Sequence, residues 1–184
     1  MILKKCEIDG VCEIQLDPYT DHRGFFMRTY DKNIFMKYDL HKRWVQENHS
    51  FSKQKGTLRG LHFQHSPYME SKLIRIPMGE IFAVYVDLRK DSQYLGKWGS
   101  CILSEKKNNM LFIPRGFAMG MCTLTENCSI LYKMDNYYHP EKQGEILWDD
   151  HDLGIDWPID KPILSKRDKN AQTYKEFIDE YRGL

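Results

Sequence analysis

The chain has 184 residues, 27 of them Lys or Arg and 26 Asp or Glu, for a formal net charge of +1. That length suits a single domain, residues 1–184, with its own hydrophobic core. The evenly spread charge leaves no basic stripe for nucleic acid, and no stretch approaches the roughly 20 apolar residues of a membrane-spanning helix. The five cysteines, Cys6, Cys12, Cys101, Cys122 and Cys128, form no CxxC pair and no zinc spacing. They fit reduced thiols better than a disulfide framework. "MILKKCEIDG" is too charged, and too short in apolar run, for a signal peptide, so a cytoplasmic protein is expected.

In chain order, "VCEIQLDPY" (11–19) is strand-like up to Pro18, and "GFFMRTY" (24–30) follows the turn "DHRG". "NIFMKYDL" (33–40) has helical spacing. "QENHSFS" (46–52) and "TLRGLHFQ" (57–64) read as strands around "KQKG". "KLIRIPMGEIFAVYVDLR" (72–89) reads as two strands meeting near Met78-Gly79. "WGSCILS" (98–104), "NMLFIP" (109–114), "GMCTLT" (120–125) and "CSILYKMDNYY" (128–138) complete the set, and a helix is predicted over about 169–182. Many short strands with turns between them, and no room for crossover helices, predict an all-β fold: a jelly-roll sandwich or barrel with a few peripheral helices.

Strand alternation assigns faces. Ile130, Tyr132, Met134, Asn136 and Tyr138 share one face. Leu58, Gly60, His62 and Gln64 share another, with Arg59 opposite unless a bulge at Gly60 returns it. Leu61 and Phe63 are then expected in the packing between sheets. His62 is the anomaly, a titratable ring in a strand that otherwise reads as buried. Its neighbour His65 is not at His-x-His spacing, and "DHRG" and "DDHDLG" lack the EF-hand ligand pattern, so no metal is expected. GxGxxG, GxxxxGK[ST] and GxSxG are absent. A metal-free pocket with a histidine, a tyrosine and a cation suits proton transfer: a base, an acid and a stabiliser of developing negative charge.

The chain resembles the dTDP-4-dehydrorhamnose 3,5-epimerase family, cupin-fold epimerases of nucleotide sugars, from about residue 5 to about residue 168. The resemblance runs through "DHRGFF", "QENHSFSKQKGTLRGLHFQ", "SKLIRIPMGEIFAVYVDLR", "LGKWGSCILS", "LFIPRGFAMGM", "LYKMDNYYHPEKQGEILWDD" and "LGIDWPI". It implies that His62 is the base that removes a proton beside a ketone, Tyr132 the acid on the opposite face of the sugar, and Asp168 the carboxylate behind the histidine. Lys72 falls on the family lysine near the keto oxygen. Arg23, Phe26, Gln46, Asn48, Arg59 and Tyr138 fall on positions lining the nucleotide and diphosphate side, where an arginine fork suits phosphate. The implied mechanism needs no cofactor, because the 4-keto group acidifies the hydrogens on C3 and C5. The implied assembly is a homodimer with strands shared across the interface.

Two departures bear on specificity. The family usually reads "GFAHGF" where this chain reads "GFAMGM", so Met119 replaces a pocket histidine and raises the alternative of inversion at C3 alone. After "RGFF" the family places a glutamate that helps recognise thymine; here Arg28 stands there. A donor-only cation does not replace that acceptor but suits guanine O6 and N7. Arg28 thus points to GDP, and the resemblance, which includes relatives acting on GDP-linked 4-keto heptoses of bacterial capsule synthesis, makes such a heptose the expected substrate, with dTDP-4-keto-6-deoxyglucose as the alternative. A 3,4-ketoisomerase on a related fold and a non-catalytic nucleotide-sugar-binding barrel are the remaining alternatives.

Overall fold

The computed structural model describes residues 1–184. The strands are β1 (Ile2–Lys5), β2 (Cys12–Gln15), β3 (Tyr19–Asp21), β4 (Gly24–Phe26), β5 (Gln46–Ser52), β6 (Leu58–Gln64), β7 (Lys72–Met78), β8 (Glu80–Asp87), β9 (Trp98–Ser104), β10 (Asn109–Ile113), β11 (Phe117–Thr123), β12 (Cys128–Met134) and β13 (Gln143–Glu145). The helices are α1 (Lys32–Lys37), α2 (Lys166–Lys169) and α3 (Tyr174–Tyr181). One six-stranded sheet runs β1-β2-β10-β7-β12-β5, and a five-stranded sheet runs β13-β6-β11-β8-β9. The β3–β4 hairpin is a separate two-stranded sheet. The fold is the expected cupin-type jelly-roll sandwich.

Alternation explains the sandwich. Ile81, Ala83 and Tyr85 of β8 point inward to a core shared with Ile74 and Ile76 of β7, Leu111 and Ile113 of β10, and Ile130 of β12. The intervening Val84 and Val86 point outward and are also fully buried. Burial on both faces requires a cover on each side. The C-terminal region covers the five-stranded sheet: Phe177 of α3 packs edge-on against Phe63, ring centroids 5.2 Å apart, with Trp157 and Leu153 beside it. Phe35 of α1 and Leu40 cover the six-stranded sheet over Ile14, Leu73 and Phe112.

Three expectations are corrected. Leu61 and Phe63 face this outer layer under α3, not the space between the sheets, because His62 and Gln64 take the inward positions. The helix predicted over 169–182 starts only at Tyr174, because its N-cap is Thr173, and the separate α2, capped by Ser165, ends at Lys169. Ser165 accepts from the Asp168 N–H at 3.1 Å, and Thr173 forms a reciprocal capping box with Glu176. The strand read through Tyr138 ends at Met134, so Tyr138 lies in the loop that follows.

Gly60 makes β6 irregular. Met119 pairs with His62 but Met121 pairs with Arg59, a one-residue shift between β11 and β6. The bulge rotates Arg59 to the His62 side while Leu58 stays in the outer layer. Gly60 has φ +127°, and a Cβ there would lie 2.5 Å from Gly120 Cα and 2.7 Å from the Met119 carbonyl oxygen. Gly60→Ala is expected to destabilise the fold by roughly 1–3 kcal/mol from backbone strain, with overpacking in addition. Urea unfolding measures this, and an unshifted midpoint would contradict it.

Candidate active site

A cavity of about 600 Å³ opens between the two sheets. One wall comes from the six-stranded sheet, with Gln46 and Asn48 on β5, Lys72 on β7 and Tyr132 on β12. The other comes from the five-stranded sheet, with Arg59, His62 and Gln64 on β6 and Met119 on β11. Asp168 closes one end from α2, and Tyr138 lines the cavity from its loop. Nine of the twelve residues singled out in the sequence thus converge on one space.

His62 Nε2 lies 2.6 Å from Asp168 Oδ1. A carboxylate accepts, so Nε2 carries the hydrogen and Nδ1 remains a proton acceptor. Asp168 is 3% exposed. Its Oδ1 also accepts from the Gly60 N–H at 3.3 Å, and its Oδ2 accepts from the Ser165 hydroxyl at 2.6 Å. Burial alone would raise this carboxyl. The hydrogen bonds from His62 and Ser165, the His62 charge and the Gly60 N–H outweigh it and hold the group below the usual range. The pair is therefore a histidine backed by an ionised carboxylate.

Tyr132 stands on the opposite wall, pairing across the ladder with Asn48. Burial pushes its hydroxyl above the ordinary phenol range; Asn48 partly opposes this and the Glu70 charge adds to it. The hydroxyl therefore keeps its proton at neutral pH. The Lys72 ammonium, with its side chain 12% exposed, donates to Glu70. The Tyr138 N–H donates to Gln46 Oε1 at 2.5 Å, and its hydroxyl donates to Gln143 at 2.6 Å. Arg59 Nη2 reaches Ser52 Oγ only at 3.5 Å, leaving most of its fork open. Met119 sits in register with His62.

Arg23, Phe26 and Arg28 do not line this cavity. The hairpin that carries the first two joins neither large sheet. Arg23 pairs with Asp21 at 2.6 Å, Phe26 is 72% exposed, and Arg28 pairs with Asp31 at 3.2 Å. The sequence reading also missed residues. Ser165 was detectable as the first residue of the Ser-x-x-Asp pattern that caps α2. Glu70 and Arg167 lie in segments without strand periodicity, and no signal marked them. All five thiols are free. Burial pushes Cys12 and Cys122 up to about 11 and Cys101 to about 12, so none of these three is a ready nucleophile. No group of three His, Cys, Asp or Glu side chains is placed to hold a metal ion.

Residues 5–176 match the family described as dTDP-4-dehydrorhamnose 3,5-epimerase. The enzyme of that name from Methanothermobacter thermautotrophicus is 45% identical over 94% of both chains. A crystal structure of the Bacillus anthracis dTDP-4-dehydrorhamnose 3,5-epimerase, with TDP and PPi bound, superposes with TM-score 0.91 at 37% identity, covering 94% of this chain and 98% of that one. The Legionella pneumophila dTDP-6-deoxy-D-glucose-3,5-epimerase, in complex with dTDP-4-keto-L-rhamnose, gives TM-score 0.89 at 37% identity, covering 94% and 92%. Sequence motifs, jelly-roll topology and a cavity carrying a histidine–carboxylate pair opposite a protonated tyrosine agree with these likenesses: the chain belongs to the dTDP-4-dehydrorhamnose 3,5-epimerase family, isomerases acting on carbohydrates.

Proposed function

We propose that the chain inverts C3 and C5 of dTDP-4-keto-6-deoxyglucose. The observation that carries this is the placement of base and acid on opposite walls: His62 on the five-stranded sheet, Tyr132 on the six-stranded sheet, with the cavity between them. Inversion at carbon requires a proton to leave one face of the ring and return to the other, and a base and an acid on opposite walls do both.

The steps follow from the geometry. The ketone at C4 acidifies the neighbouring hydrogen. His62 Nδ1 takes it, and Asp168 stabilises the imidazolium through Nε2–H. Lys72 meets the enolate oxygen with its ammonium. Tyr132, which holds its proton at neutral pH, delivers it to the opposite face. A flip of the sugar ring brings the second carbon to the same pair. Gln46, Asn48, Arg59 and Tyr138 hold the nucleotide side.

The GDP-heptose expectation has no support beyond Arg28 itself. Arg28 is paired with Asp31, and the relatives are named for dTDP sugars. The hairpin with Arg23, Phe26 and exposed Tyr19 and Phe25 fits the shared-strand homodimer that the resemblance implies, in which it would reach a partner's cavity. A sedimenting species of one chain would contradict that assembly.

The substrate test uses dTDP-4-keto-6-deoxyglucose beside a GDP-linked 4-keto heptose, with ring coupling constants read by proton NMR. Inversion of both centres in the dTDP sugar is expected. Turnover of the GDP sugar alone would restore the Arg28 expectation, and inversion at C3 alone would assign Met119 a role in excluding the second inversion.

A further inference from the structure

Glu70 is a buried carboxylate in the cavity wall that these steps leave unused. Its side chain is 4% exposed. Oε1 accepts from Lys72 Nζ, and Oε2 accepts from Gln64 Nε2 at 2.9 Å. An ionised carboxylate at this depth persists only when it is paired and hydrogen-bonded, and these two partners meet that need.

The segment carrying Glu70 is itself tied down. The Ser71 N–H donates to Asp135 Oδ1 at 2.6 Å. Asn136 Nδ2 donates to the carbonyls of Pro67 and Met69 at 3.2 and 3.3 Å. Gln64 Nε2 also reaches the Tyr68 carbonyl at 2.8 Å, while its Oε1 accepts from the His139 N–H at 2.7 Å. The carboxylate is thus fixed before substrate arrives. Lysine is the reverse: a point charge on a flexible four-carbon stem with three donors. One Lys72 donor is taken by Glu70, which leaves two for the cavity.

We propose that Glu70 is a positioning residue of the epimerisation, fixing the Lys72 ammonium so that its free donors face the site of the substrate's 4-keto oxygen. This rests on the epimerase function proposed above. A second consequence reaches Tyr132. Glu70 lines the same cavity as Tyr132, together with Asn48 from β5, Arg59 from β6 and Tyr138 from its loop. The Glu70 charge adds to burial in favouring the protonated hydroxyl, and Arg59 opposes it. One carboxylate therefore sets the place of the enolate stabiliser and supports the protonation of the acid.

The test compares Glu70→Gln, Glu70→Asp, Lys72→Met and the Glu70→Gln/Lys72→Met pair in the full-length protein. Three quantities are measured: epimerisation kinetics, dTDP binding by calorimetry, and the titration of the Tyr132 ring signal by carbon NMR, assigned with Tyr132→Phe. Glu70→Gln is expected to lower kcat about ten- to a hundredfold by misplacing the ammonium, with dTDP binding unchanged. The double variant is expected to be no slower than Lys72→Met alone. The Tyr132 signal is expected to titrate at lower pH in Glu70→Gln, and in Glu70→Asp, which keeps the charge, to stay with the wild type. Wild-type kcat in Glu70→Gln, or losses that multiply in the double variant, would overturn the proposal. A wild-type protein that inverts neither carbon would instead overturn the proposed function. The Tyr132 titration is still readable in that case, and an unmoved signal in Glu70→Gln would remove the electrostatic link.

Discussion

His62→Ala is expected to reduce exchange of the substrate's C3 and C5 hydrogens by about 10²–10⁴-fold, the usual contribution of a positioned base, while dTDP still binds. The reason is local. His62 Nδ1 is the acceptor left free once Nε2–H is committed to Asp168. The ring is part-exposed on β6 and lines the cavity, so its removal takes little from the core. Exchange followed by NMR with calorimetry of dTDP binding checks both halves. Exchange at the wild-type rate would remove His62 from the role of base. Loss of dTDP binding would show that the ring shapes the nucleotide site as well.

Asp168→Asn carries the second large effect and separates charge from shape. The amide oxygen still accepts from His62 Nε2–H and the Gly60 N–H. The amide nitrogen then faces Ser165, whose hydroxyl turns from donor to acceptor. The fold is therefore expected to persist. What is lost is the negative charge that stabilises the imidazolium, and kcat is expected to fall by about a hundredfold or more, with little change in dTDP binding. The same substitution changes the acid response. In the native protein the Asp168 carboxyl lies below its ordinary value of 3.8. Its contribution to stability is fully present above that value and is lost as pH falls through the lowered one. The variant lacks this contribution, so its unfolding free energy is expected to fall less steeply below about pH 4. Equal steepness in the two proteins would contradict the ionised His62–Asp168 pair.

Much of the site was legible because strands alternate. The period of two put Tyr132 and Met134 on one face and His62 and Gln64 on another, and all four line the cavity. The same rule misplaced Leu61 and Phe63. It says that they oppose His62, but not which side of a sheet is the inside when both faces are buried. α3 and the segment around Trp157 bury the outer face as completely as the sandwich buries the inner one. Arg59 returned to the His62 side through a one-residue bulge that depends on its neighbour β11, and no local pattern encodes a neighbour's register. Arg23, Phe26 and Arg28 were placed by resemblance, which carries positions but not the chain's own packing. The hairpin of Arg23 and Phe26 stands apart from both large sheets, and Arg28 follows it in the chain. Glu70 was invisible because a loop residue has no face until the loop is tied, here by Asp135 and Asn136.

The most direct measurement is proton NMR of dTDP-4-keto-6-deoxyglucose incubated with the protein in D2O. Deuterium entering both C3 and C5, with inversion of both centres, is the expected result. A substrate that keeps both hydrogens while dTDP binds would contradict proton transfer between His62 and Tyr132 as the work of this cavity.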